Sequence, residues 1–332
     1  MKKIFLLLIS VLLLTGCGKV NKDKLVKEFV DKVEKSDSYL LKGNMSIYNS
    51  EDIYNYDLEV KYKKDNLFYV KMLNTNNDHE QIILRDKDSV YVVTPSLNKS
   101  YKFVSEWPFN SSQSYILNSL VKDINNDKDY KFYSYDDEYV IETIVNYPNN
   151  NYLKYQKLFF DKNKNLKEII VYDNNDIESI KVEISSIDYN SDINDNDFNI
   201  DNILEDNCCN VIEENTSNNL EDVYYPLYMP ANTYLQSKDV VNTENGERYI
   251  LTFSGDKNFV LIEEASNVYS EFEMIPVYGD LVMISGGIGA LANNSLSWSS
   301  NRVDYYLTSN DLSPEEAINV AESLNTTVFF EK

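Results

Sequence analysis

Two hydrophobic periods divide the chain. Asp23 to Lys35 places Leu25, Val26, Phe29, Val30 and Val33 at helical spacing among Lys, Glu and Asp, which predicts an amphipathic helix. From residue 39 the period drops to two. Leu41, Gly43, Met45 and Ile47 alternate with polar residues, and so do Tyr54, Tyr56, Leu58, Val60 and Tyr62, the mark of half-buried antiparallel strands. Further strands are expected at 67–73, 80–85, 89–94, 100–104, 130–135, 139–147, 152–160, 165–172 and 177–187, joined by polar turns. A helix is expected over Ser111 to Asp123, where Tyr115, Ile116, Leu117 and Leu120 cluster. A strand series broken once by a helix predicts one large curved sheet with helices on one face.

Beyond residue 222 strands are expected near 248–254, 258–264, 281–285 and 302–308. Ser313-Pro314-Glu315-Glu316 combines a Ser cap, a Pro in the first helical position and a Glu three residues after the cap, so a helix starts there. Thr326 to Phe330 supplies a closing strand. The segment Asp188 to Asp222 is acidic, without a single Lys or Arg, and rich in Asn and Ser. It separates the two halves. The expected fold is mainly β (α+β): an N-terminal curved antiparallel half-barrel covered by helices (23–200), an acidic linker (201–222) and a smaller α+β domain (223–332).

The extreme N-terminus adds a location. Lys2 and Lys3 precede an apolar run from Ile4 to Leu14, too short to span a bilayer, and Leu14-Thr15-Gly16-Cys17 closes it. This resembles the bacterial lipobox, which implies a signal peptide over 1–16, a diacylglyceryl group on Cys17 and a polar tether over 17–22. Acyl chains then hold the mature chain at the membrane.

Charge and composition exclude several classes of function. The net charge of −23 opposes nucleic acid, and one His with three Cys leaves little for metal or acid–base chemistry. Neither a metal nor a cofactor is expected. Cys208 and Cys209 are adjacent and poorly placed to bridge each other, and His79 falls in a polar turn read as a solvated loop. Asp192, Asn194 and Asn196 have the spacing of the first ligands of a calcium loop, but Asp197 and Ile203 stand where that loop needs Gly and Glu. Ser285-Gly286-Gly287-Ile288-Gly289 is read as a hairpin or binding loop, because a dinucleotide-binding unit needs a helix there and Asn293-Asn294-Ser295 follows at once. No catalytic residue is assigned.

The order of these elements resembles a known superfamily. The lipobox, the helix and the strands containing Leu67-Phe68-Tyr69-Val70, Glu80 to Asp86, Ser89 to Pro95 and Ser100 to Phe103 are similar to the outer-membrane lipoprotein carriers (LolA/LolB-like), and more narrowly to sporulation and germination lipoproteins. The second half, headed by Tyr225-Pro226-Leu227-Tyr228-Met229-Pro230, is similar to regulators of the RseB type. The resemblance implies a half-barrel with a concave apolar face. Its candidate lining is Tyr54, Tyr56, Leu58, Val60 and Tyr62 on one strand and Phe68, Val70 and Met72 on the next, residues that equally well pack against the two helices.

Together these features predict a non-enzymatic, extracytoplasmic lipoprotein, anchored to the cell membrane through its N-terminal lipid, that binds or scaffolds a partner protein in sporulation, germination or envelope regulation. The alternative is a binder or carrier of a lipid or other hydrophobic ligand.

Overall fold

The structure, a computed structural model, describes residues 22–49, 52–207, 220, 222–243, 246–284 and 286–325. Cys17, Cys208, Cys209 and the segment Thr326 to Phe330 lie outside the described residues. The chain is mainly β. Helix α1 (Lys22–Glu34) is followed by β1 (Ser38–Asn49), β2 (Asp52–Lys63), β3 (Leu67–Asn74), β4 (Glu80–Arg85), β5 (Val90–Thr94) and β6 (Lys99–Phe103). After α2 (Leu117–Asn126) come β7 (Lys131–Ser134), β8 (Glu138–Ile144), β9 (Leu153–Asp161), β10 (Leu166–Asp173) and β11 (Glu178–Tyr189). These eleven strands form one sheet in the order β6-β5-β4-β3-β2-β1-β11-β10-β9-β8-β7, every neighbouring pair antiparallel. The sheet is open, and the chain's two meanders join where β1 pairs with β11.

One face of this sheet is dry. Tyr39, Leu41 and Met45 of β1, Leu58 and Val60 of β2, and Phe68, Val70 and Met72 of β3 are all buried in one cluster with Leu25, Phe29 and Val33 of α1 and Leu117, Leu120 and Ile124 of α2. Burying each such side chain contributes about 1.5–3 kcal/mol. Rings join helix α1 to the sheet and neighbouring strands to one another. Phe29 meets Phe160 edge-on at 5.3 Å, Tyr39 stacks on Tyr62 at 5.0 Å, and Tyr62 lies 5.1 Å from Phe68. The Tyr39 hydroxyl donates to Asn118 Oδ1 and accepts from the Leu117 amide, which holds the first turn of α2 over β1. Gly43 sits at a register shift between β1 and β11, where a Cβ would lie 2.2 Å from the Glu183 carbonyl oxygen. Any side chain there would push the two meanders apart.

The helix expected over 111–123 begins six residues later. Residues 111–116 instead form a loop ending in a turn: the Ser112 amide donates to the Asn146 carbonyl, the Gln113 amide to Ser119 Oγ and the Ile116 amide to the Gln113 carbonyl. The acidic segment after β11 also takes more structure than a solvated connector needs. Asp195–Phe198 forms a 3-10 turn capped by Asn194, and α3 (Ile200–Asp206) is capped by Asn199. Ile193, Phe198 and Ile203 lie against Ile82, Leu84, Tyr91 and Val93 on the outer face of the sheet. Apolar residues at 193, 198 and 203 are enough to dock this acidic ribbon past residue 200, and they explain why every residue of β5 is buried.

The remaining strands are β12 (Tyr225–Pro226), β13 (Thr233–Thr243), β14 (Gly246–Gly255), β15 (Phe259–Ala265), β16 (Glu273–Val277), β17 (Asp280–Ile284), β18 (Gly287–Ala292), β19 (Ser295–Ser300), β20 (Val303–Thr308) and β21 (Leu324–Asn325). Seven of them form an antiparallel sheet ordered β13-β14-β15-β20-β19-β18-β17, with α4 (Pro314–Glu322) packed on one face through Ala317, Ile318, Val320 and Ala321. The glycine-rich stretch is β18 and the turn before it. β12 and β21 pair as a short ribbon.

The two sheets are joined three ways. β16 leaves the second half and pairs parallel with β6, becoming the twelfth strand of the first sheet. Leu281, Ile288 and Ala290 of β17 and β18 enter the first sheet's apolar cluster. Lys99 of β6, only 3% exposed, pairs with Asp304 of β20 at 2.6 Å.

A cleft between the two sheets

A cleft of about 900 Å³ opens where one end of the first sheet faces β17 and α4. Its walls come from far-separated places: the ends of β1 and β2 (Ile47, Tyr48, Asn49, Asp52 and Ile53), residues 104–106, 110, 111 and 113–115, residues 147–150, 152 and 153, the β10–β11 turn with the start of β11, and across from them Asp280 to Ile284 with Ile318, Asn319 and Glu322. Each wall has a local cause. Asp173 Oδ1 accepts the amides of Asn175 and Ile177, both at 2.8 Å, which closes the β10–β11 turn and directs Ile177 outward. Ser112 Oγ donates to Asp123 Oδ1 and accepts the Asn146 amide, tying the two loops together. The Asn49 amide group donates to the Glu322 carbonyl and Asn110 Nδ2 to Asp280 Oδ1, so both sheets hold the opposing walls in place.

The lining is apolar and acidic. Ile53, Val104, Tyr152 and Ile177 are exposed by 51%, 82%, 44% and 61%, unusual for such large side chains, and all four face this cleft. Asp52, Glu106, Asp173, Glu178, Asp280 and Glu322 line it as well, together with neutral polar residues such as Asn49, Gln113 and Asn150, and among the described residues no Lys, Arg or His belongs to the lining. Some surface carboxylates are paired with a cation, as in Lys42–Glu59, Lys71–Glu80 and Lys131–Glu142.

Several side chains singled out in the sequence lie elsewhere. Tyr56, Leu58, Val60, Phe68, Val70 and Met72 are buried in the core between sheet and helices, Tyr54 and Tyr62 pack at its margin, and none of the eight lines the cleft. They fill the concave face. His79 is half-buried, with Nε2 lacking a partner and burial holding its pKa below the usual value, so it is not the solvated loop residue expected from its neighbours. The two carboxyls that burial pushes upward are also outside the cleft lining. Asp123, at about 6, accepts from Ser112 Oγ and Gln156 Nε2, and Glu263, at about 7, accepts the Tyr224 amide. Both sit beneath the surface as structural acceptors. Among the described residues no cluster of three His, Cys, Asp or Glu is arranged to hold a metal ion, and no helix is long and apolar enough to cross a membrane.

Sequence reasoning missed the cleft because its walls lie on turns and strand ends from both halves. The available signal was the apolar residues out of phase with their neighbours, Ile53 and Ile177, each adjoining acidic residues at a turn.

No family model matches the chain. Among solved structures, a chain of the MucA/MucB complex of Pseudomonas aeruginosa is 8% identical, with 91% of this chain and 98% of that one covered at a TM-score of 0.32. A LolA superfamily protein of Nitrosomonas europaea is 15% identical, with 55% and 99% covered at 0.31. Among curated proteins, the sporulation protein YdcC of Bacillus subtilis (strain 168) is 36% identical over 318 residues, 96% of this chain and 94% of YdcC. On that identity over nearly its whole length, the chain belongs to the family of the sporulation protein YdcC.

Proposed function

We propose that this chain is a binding protein of the cell envelope that acts in sporulation, held at the membrane by a lipid on Cys17, and that the cleft between its two sheets holds a segment of a partner protein. The observation that carries the reading is the gathering of Ile53, Val104, Tyr152 and Ile177, all exposed, around one concave space. Large apolar side chains kept in water are costly unless something covers them, and clustered ones mark contact surfaces. The YdcC family membership supports the sporulation setting. The lipobox-like Leu14-Thr15-Gly16-Cys17 supports the anchor.

A second reading is favoured by the volume. About 900 Å³ is in the range of small-molecule sites, so the same cleft also fits a hydrophobic ligand.

The experiment is deletion of the gene in its own host followed by complementation. Wild-type chain restores heat-resistant spores, whereas Cys17→Ala and a Val104→Asp, Ile177→Asp double variant fail to restore them while accumulating as folded protein. Full spore formation in the deletion strain, or full rescue by both variants, contradicts the reading.

A further inference from the structure

We infer that the occupant of the cleft is a cationic, apolar polypeptide segment, in which a lysine or arginine alternates with aliphatic residues, and that the cleft rejects anionic lipid. The inference rests on the partner-binding reading above and adds the chemistry of what is bound. The cleft is built for two kinds of contact at once. Its rim carries Val104 and Ile177, while Asp52 of β2 and Glu178 of β11, the two strands on either side of β1, line the same space, as does Asp280 of β17. Among the described residues neither Asp52, Glu106, Asp173, Glu178 nor Asp280 forms a salt bridge, and no Lys, Arg or His lines the space. The Asn110 Oδ1 atom adds a buried acceptor that lacks a donor.

Sign decides between occupants. A fatty-acid carboxylate or a phosphodiester headgroup would enter a space whose titratable groups are all acidic, and the repulsion grows as water is excluded. A Lys or Arg side chain pairs with those carboxylates, and its methylene stem, with its aliphatic neighbours, covers the apolar rim. A neutral apolar molecule satisfies the rim and leaves the carboxylates no better off than in water.

The test uses full-length chain in phosphatidylcholine nanodiscs and a labelled peptide alternating lysine and leucine, with binding read by fluorescence anisotropy. Asp52→Asn with Glu178→Gln weakens binding about tenfold, and Asp280→Asn with Glu106→Gln on the other walls does the same. Asp136→Asn with Glu205→Gln, which removes equal charge outside the cleft, leaves binding unchanged. A peptide alternating aspartate and leucine and an oleate probe do not bind. All of these positions are exposed, so the variants fold, and thermal unfolding verifies it. Equal weakening by the control pair, absent binding of the cationic peptide, or displacement of it by oleate overturns the inference. Spore yield of the Val104→Asp, Ile177→Asp variant is read separately: loss of spores without a cationic-peptide site overturns this inference alone, and normal spores overturn the partner-binding reading beneath it.

Discussion

Lys99 Nζ lies 2.6 Å from Asp304 Oδ2, joining β6 of the first sheet to β20 of the second across 205 residues of chain. The Lys99 side chain is 3% exposed, and the carboxylate also accepts from Ser266 Oγ and Ser299 Oγ. Removing Asp304 therefore strands a buried cation. Asp304→Ala should destabilise the chain by about 3 kcal/mol in denaturant unfolding, and Lys99→Met combined with Asp304→Leu should recover much of it, because an apolar pair leaves no charge unmatched.

A neutral contact makes a second seam between the sheets. Gln81, 4% exposed on β4, accepts the Ile288 amide of β18 at 3.0 Å. Gln81→Met preserves the side chain's length and removes the acceptor. It should cost about 1–3 kcal/mol and speed hydrogen exchange at the Ile288 amide before that of the β1 and β2 amides.

The pH dependence of stability follows from Asp123. Burial raises its folded pKa to about 6, above the ordinary carboxylate value, although hydrogen bonds from Ser112 and Gln156 pull the other way. Below about pH 4 folded and unfolded chains both hold this proton. Between about pH 4 and pH 6 the unfolded chain releases it first, so stability falls as pH rises, by up to about 3 kcal/mol from this group. Glu263, raised by burial to about 7, acts in the same direction. Asp123→Asn keeps a neutral side chain that donates to the unpartnered Gln156 Oε1 once that amide turns over. In urea unfolding the variant should be more stable than wild type near pH 8, with the difference vanishing near pH 4.

The helix that forms one wall of the cleft depends on its cap. Ser313 Oγ accepts the Glu316 amide while Glu316 Oε2 accepts the Ser313 amide, and Lys257 pairs with the same carboxylate. Ser313→Ala should cost about 1 kcal/mol and loosen Ile318, Asn319 and Glu322 at the cleft wall, seen as faster amide exchange confined to α4.

What the sequence made legible tracks how one-sided each element is. β2 and β3 keep one face in the core, so their alternation from Tyr54 to Tyr62 and from Phe68 to Met72 announced strands and their inward residues. The capping box at Ser313 was legible because its mechanism is local. β13 was not, since most of Thr233 to Thr243 is exposed on both faces and carries no alternation. The glycine stretch is expected as a hairpin or binding loop; β17 and β18 do pair as a hairpin there, but Gly287 and Gly289 lie within the strand, where it runs against Gln81 and Trp298. β16 escaped because its pairing with β6 is a long-range event that Glu273 to Val277 does not encode alone. The same limit hid the cleft: its walls meet only after Lys99, Gln81 and β16 have brought the sheets together.

The most direct test of the account is the spore yield of a host whose only copy of the gene carries Val104→Asp and Ile177→Asp, compared with one carrying Tyr135→Asp, an exposed side chain away from the cleft. Surface positions of this kind change folding stability by about 0.5 kcal/mol or less, so the amount of protein stays constant. The account predicts loss of heat-resistant spores with the first variant and normal numbers with the second. Normal sporulation with both, at wild-type protein levels, would contradict it.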